Sequence, residues 1–147
     1  MIDELIKAYE QGKADYEKYR QTILNIIELL YSFCNTVLKR FLASPAGKRA
    51  PDLELYTCND EICVNLELGL DEVEISITLE GEKEGIILLE LKYSLDRGTI
   101  ELKQRKKHIH ETYLTYLAEQ YENIKKLVIE LAYRLGVLER YYEDRNL

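Results

Sequence analysis

Apolar and aromatic residues recur at alternating spacings of three and four along the first part of the chain: Ile2, Leu5, Tyr9, Tyr16, Tyr19, Ile23, Ile26, Leu30, Phe33 and Val37, with Gly12 standing in the one gap. That period lays a single seam along a helix. The same spacing returns at the far end in Leu114, Leu117, Tyr121, Ile124, Val128, Leu131, Leu135, Leu138 and Tyr142. Between the two seams the period falls to two. Leu53, Leu55 and Thr57 alternate with polar residues, as do Ile62, Val64, Leu66 and Leu68, then Val73, Ile75, Ile77 and Leu79, then Ile87, Leu89, Leu91 and Tyr93, and finally Ile100 and Leu102. The pattern predicts an α+β fold in one domain, 1–147: a helix over 2–43, a five-stranded antiparallel β-meander over 52–103, and a helix over 105–142. The two long terminal helices are expected to run antiparallel and to bracket the sheet.

Local signals refine the elements. From Ile23 the first seam widens, because Leu24, Ile27, Leu29, Tyr31, Cys34, Leu38 and Leu42 join it, so this half is expected to be covered on two sides. Ser44, Pro45 and Gly47 are read as the end of the helix and the start of a loop reaching Pro51. Asn59-Asp60, Gly69 to Asp71, Gly81 to Gly85 and Asp96-Arg97-Gly98 supply turns too short for a parallel crossover. Pairing Leu68 with Val73, Leu66 with Ile75, Val64 with Ile77, Tyr93 with Ile100 and Leu91 with Leu102 sets inner residues against inner residues. The opposite face is acidic and polar, apart from Ile86 and Leu88, which would point outward. Gly136 is expected to end or kink the last helix.

Lengths then bear on assembly. About 40 helical residues span on the order of 60 Å, whereas a five-stranded sheet of about seven-residue strands measures only about 24 Å each way. Both helices should overhang, with Ile2, Leu5, Ile6 and Tyr9 meeting Leu131, Leu135 and Leu138 in an antiparallel hairpin. A two-helix stalk of that kind leaves aromatic flanks open, so Tyr9, Tyr16, Tyr19, Tyr133, Leu138 and Tyr141 form a candidate interface. Tyrosine suits such a surface because its ring is apolar and its hydroxyl tolerates water. A homodimer with a coiled-coil character through the long helices is the expectation.

The 147 residues are 46% hydrophobic, with two prolines and a net charge of −7, which excludes a disordered chain. The charge is unevenly placed. Residues 52–102 carry −11, while Lys39, Arg40, Lys48 and Arg49 make one basic stretch and Lys103, Arg105, Lys106 and Lys107 another. If the helices were antiparallel, the two stretches would meet in a collar able to hold phosphates, so nucleic acid is a second candidate partner, opposed by the acidic sheet. The longest nearly uncharged run, Ile23 to Leu38, falls short of the roughly 20 residues a bilayer requires, and no signal peptide is read at the N-terminus. Three cysteines in apolar patterns suggest a reducing compartment, hence the cytoplasm. Abundant Lys, Glu and Ile lean toward a thermophile.

Chemical motifs are scarce. No Gly-x-Gly-x-x-Gly, P-loop, Gly-x-Ser-x-Gly or His-Glu-x-x-His occurs. His108 and His110 are the two histidines and lack a third ligand nearby in sequence, so they read as solvated residues at a helix start. Cys58 and Cys63 flank a turn on the outer face, where a disulfide or half of a metal site is a minor alternative to two thiols. No catalytic residue, metal or cofactor is therefore expected.

The order helix, strands, helix resembles that of prefoldin-type chaperone subunits and of small nucleoid-associated proteins built from two helices around a short sheet. The resemblance lies in architecture, without a shared residue motif, and the glycine-containing strand pattern of prefoldin is missing. It implies a holdase or a nucleic-acid-associated protein as alternatives. The reading favoured by the residues is a non-enzymatic protein-interaction or assembly module.

Overall fold

In the computed structural model, residues 1–49, 52–80, 86–94, 96–102 and 111–144 are described. A helix runs unbroken from Ile2 to Ala43 as α1 (Ile2–Phe33), a π-helical turn (Cys34–Leu38) and α2 (Lys39–Ala43). A π turn takes up extra residues. Here it moves the buried face from Ile26, Leu30 and Phe33 onto Cys34, Leu38 and Phe41, leaving the expected seam residue Val37 half-buried. The Thr36 hydroxyl donates to the Ser32 carbonyl at 2.6 Å beside this distortion.

The stretch expected to be a loop after Ala43 instead holds a short helix, α3 (Pro45–Arg49). Ser44 and Pro45 stop one helix and begin the next. The Ser44 hydroxyl donates to the Phe41 carbonyl and accepts from the Gly47 amide at 3.3 Å, while proline fits the first helical position, whose amide would be unpaired anyway. Gly47 then lies so close to α2 that an added Cβ would collide with the Phe41 carbonyl oxygen and sit 2.6 Å from Leu42 Cα.

Five strands follow: β1 (Glu54–Asn59), β2 (Ile62–Leu68), β3 (Glu72–Leu79), β4 (Ile86–Ser94) and β5 (Thr99–Leu102). They form one antiparallel sheet in sequence order, a meander. The anticipated pairs Leu68–Val73, Leu66–Ile75, Val64–Ile77, Tyr93–Ile100 and Leu91–Leu102 are all present. Asp60 and Gly98 take the left-handed conformation that tight turns need (φ 56° and 64°). One face differs from expectation. A bulge between β3 and β4 pairs Ile77 with Leu89 but Thr78 with Ile87 and Leu79 with Ile86, so Leu88 is the extra residue. Ile86 therefore sits with inner Leu79 and packs against the core. Leu88, expected outside, is 2% exposed. On the outer face Cys58 and Cys63, expected to be free thiols, lie opposite each other with Cα atoms 4.1 Å apart and are joined as a disulfide, whereas Cys34 is free and buried.

The last helix comprises α4 (Glu111–Glu119) and α5 (Tyr121–Asp144), with a break at Gln120, and it runs through Gly136 without ending. It covers the sheet: α5 approaches β1 and β2, and α4 approaches β4. Arg134 Nη1 donates to the Tyr56 carbonyl at 2.9 Å and Asn59 Nδ2 to Asn123 Oδ1 at 3.0 Å, so α5 lies antiparallel to β1 and guards that edge strand.

The terminal helices are parallel, not antiparallel. Tyr16 to Leu24 line a groove with Leu114 and Thr115, whereas Val37 to Phe41 line a cleft with Ala132 to Glu139, so both helices advance in the same direction. The cause is parity. Each short connection reverses the chain, and an odd number of antiparallel strands between two helices restores the first helix's direction. One apolar cluster joins both helices to the inner sheet face.

Candidate interaction site

Parallel helices change which ends are left bare. Leu131 and Leu135, expected to meet the start of α1, are buried against the sheet and the second half of the first helix, and Leu138 is half-buried with them. Among the described residues the long exposed run lies at the N-terminal end. Every residue from 1 to 14 is exposed in an unbroken helix about 21 Å long. Ile2, Leu5, Ile6 and Tyr9 are each more than half exposed, although Ile2, Leu5 and Tyr9 continue the very seam that is buried further along at Ile26 and Leu30.

The arm joins the body at a groove of about 490 Å³ between α1 and the start of α4. Tyr16, Tyr19, Ile23 and Leu24 form one wall and Leu114 and Thr115 the other, with Asp15 and Arg20 at the margins. Tyr16 is exposed and Tyr19 half-buried, so two of the anticipated interface tyrosines line this groove and Tyr9 lies one step out along the arm. Lys13 Nζ stands 5.7 Å from the centre of the Tyr9 ring, a contact that keeps the ring at the arm's surface. Between Tyr9 and Tyr16, Gly12 has nothing within 4 Å of the place a Cβ would occupy.

The remaining anticipated tyrosines lie elsewhere. Tyr133 and Tyr141 are exposed on α5, on the side away from the core, and share a row with Ile129 and Val137. Spacing by four, rather than the three-four alternation, is what identifies this row. Tyr141 also packs edge-on against Tyr142, with ring centres 5.7 Å apart.

Of the basic collar, the first stretch falls within the described residues. Lys39, Arg40, Lys48 and Arg49 stand exposed at the end of the first helix and on α3, where Arg40 borders a cleft of about 270 Å³ with Glu139. Lys103, Arg105, Lys106 and Lys107 lie outside the described residues, as do His108 and His110. On the outer sheet face Glu54, Glu67 and Glu74 stand side by side across three strands, and Lys92 Nζ bonds the Glu72 carboxylate at 2.8 Å. A polar cleft of about 320 Å³ there is lined by Glu72, Lys92, Asp96, Arg97 and their neighbours, without a histidine or cysteine.

Burial shifts a few groups. It pushes the Cys34 thiol up to about 12, leaving it un-ionised and unreactive at neutral pH. Tyr56 is raised by desolvation and then by its hydrogen bond to Glu80, and Tyr116 by desolvation and then by Glu61 and Asp60. Among the described residues no three His, Cys, Asp or Glu side chains gather as a metal site, and no helix is long and apolar enough to cross a membrane. Neither a family model, nor a curated protein, nor a solved structure matches this chain.

Proposed function

We propose that this protein is a non-enzymatic assembly module that joins a second copy of itself through its N-terminal arm. The observation that carries this is the seam divided by burial: the same helical stripe is packed from Ile23 onward and bare from Ile2 to Tyr9. An isolated helix of fewer than about 12–15 residues is marginal in water, so a projecting arm with an apolar stripe gains from a partner helix.

Chemistry of the arm favours an antiparallel pair. The body of each molecule lies on the seam side of its own helix, beginning at Leu114, and would block a partner arm running in the same direction. An antiparallel partner meets no such obstacle and ends in the groove. In that register Tyr9 covers the partner's Gly12, and Leu5 and Ile2 reach the partner's Tyr16 and Tyr19. A helix-interior glycine costs about 1 kcal/mol relative to alanine, and the space beside Gly12 is what a large ring from a second chain would fill. The flanks place Ile6 near the partner's Lys13 and Ala8 near the partner's Asp15, so no like charges meet.

Solution mass tests the proposal. The full chain should weigh as two or more copies, and Leu5→Glu together with Tyr9→Glu should remove the arm contact while leaving the circular dichroism spectrum native. Unchanged mass in that double variant would overturn the arm as an association site.

A further inference from the structure

The bond between Cys58 and Cys63 serves neither the arm nor the core. It joins residues five apart that already face each other across the β1–β2 hairpin. A cross-link constrains the unfolded chain less when the loop it closes is shorter, so as a staple this one contributes little. Its two ends differ in how they can be reached. Cys58 is exposed, whereas Cys63 is 1% exposed. The Tyr56 hydroxyl donates to the Glu80 carboxylate, which also accepts from Thr78 at 3.5 Å, and this link from β1 to the end of β3 passes over β2, where Cys63 lies. Displacement at sulfur requires the attacking thiolate in line with the S–S bond. Extended past Cys58, the line from β2 to β1 leaves over the edge of the sheet; extended past Cys63, it runs toward Thr78 of β3.

We infer that Cys58 and Cys63 form a thiol–disulfide exchange site, opened at Cys58, whose substrate is a dithiol of neutral or positive charge. A thiolate of that substrate attacks Cys58 Sγ, the S–S bond breaks, and its electron pair leaves with Cys63 Sγ, which takes a proton from water. The substrate's second thiolate then attacks the substrate sulfur of the mixed disulfide and releases Cys58, which is protonated in turn. Two electrons pass, and the substrate leaves as a disulfide. Charge sets the substrate class. Residues 52–80 hold nine carboxylates and no lysine, arginine or histidine, with Asp60 and Glu61 in the adjoining turn and Glu80 beside it. Arg134, bonded to the Tyr56 carbonyl from α5, is the cation found at this edge among the described residues. The resulting negative field repels an anionic thiol and draws a cationic one.

The site is independent of the arm, and its test uses the native full chain, quenched with acid during reduction, alkylated and mapped by mass. With 2-mercaptoethanol the first adduct should sit on Cys58 and leave Cys63 as the free thiol; an adduct on Cys63, or on both alike, overturns the inference. Buried Cys34 supplies a clock for opening of the core, and the bond should be reduced at least about tenfold faster than Cys34 is alkylated. Equal rates, or loss of the native circular dichroism spectrum once dithiothreitol has freed both thiols, would make the bond a structural staple. Cysteamine and 2-mercaptoethanesulfonate, each referred to its own rate with a neutral peptide disulfide, should differ about tenfold in favour of cysteamine at low salt, and less at high salt. A ratio of one at low salt would remove the charge selection.

Discussion

The two halves of the N-terminal helix carry the same seam and meet opposite fates. From Ile23 to Phe41 the stripe is wide, turns through a π segment and buries its central line against α4, α5 and the sheet, whereas from Ile2 to Tyr19 it is narrow and runs out beyond the body. Periodicity alone makes the halves equivalent. What separates them is the neighbour each line meets: Ile26, Leu30, Leu38 and Phe41 are buried, whereas Leu24 and Tyr31, which broaden the stripe and were expected to be covered on a second side, stay 43% and 44% exposed. The outer half is accordingly bare, and the line from Ile26 to Phe41 is core.

Truncation should expose that contrast most strongly. Leu30→Ala removes a fully buried side chain from the shared core and is expected to cost about 2–5 kcal/mol. Leu5→Ala, on the same seam, should shift the urea midpoint of dilute, dissociated protein by no more than about 0.5 kcal/mol in equivalent stability. Comparable losses at the two positions would mean that the arm folds back onto its own body.

How the inner half ends is the next discriminator. Gly47 brings α3 against the Phe41 carbonyl, with no room for a Cβ. Gly47→Ala must push α3 off α2, and an overpacked site typically loses about 1–3 kcal/mol. Thermal unfolding should show a lower midpoint, while Gly12→Ala on the bare half should not lower it.

Much of this was legible in the chain itself. Strand registers followed from matching inner residues, since a slip of one would turn Leu66 or Ile75 to solvent. The bulge was not legible, because Ile86 to Leu89 are all apolar and period two cannot be read from an unbroken run. Helix direction follows from a count of reversals. Five antiparallel strands with short turns dictate parallel helices, whereas the hydrophobicity of the two bare ends, taken alone, points to an antiparallel stalk. Ser44 and Pro45 carry stop and start signals at once, so only the contact at Gly47 distinguishes a helix from a loop. On α5 Tyr133 and Tyr141 lie off the three-four seam and stand out as aromatic flanks, whereas Ile129 and Val137 join them in a row whose step is four.

A titration separates the halves differently. Cys34 lies at the π turn of the packed half, and its thiol is raised from 9.0 to about 12 by desolvation. Above pH 9 the unfolded chain releases this proton and the folded chain does not, so unfolding is increasingly favoured as pH climbs toward 12. The stability gained from the buried thiol is complete below pH 9 and declines above it by up to about 1.4 kcal/mol per pH unit. The difference in urea midpoint between the native protein and Cys34→Ala should therefore shrink between pH 9 and 11, since other titrations are common to both. A constant difference would mean that the thiol is solvated. Below pH 9 a thiol reagent should label Cys34 no faster than the protein opens.

Gly12→Ala has the smallest expected energy and the sharpest sign. Within one molecule the substitution can only help: the position is helical, its surroundings are open, and alanine is preferred over glycine there by about 1 kcal/mol. Amide exchange in the arm of dissociated protein should slow accordingly. In the antiparallel pair the added methyl occurs twice, each time beneath a tyrosine ring of the other chain, and the resulting misfit offsets the gain in helix order. The dissociation constant measured by sedimentation should rise by about tenfold, or about 1.4 kcal/mol, although each separate arm has become a better helix. A variant that associates more tightly in proportion to its helicity would show that nothing packs over Gly12, and the arm would then have to pair in another register or with another protein.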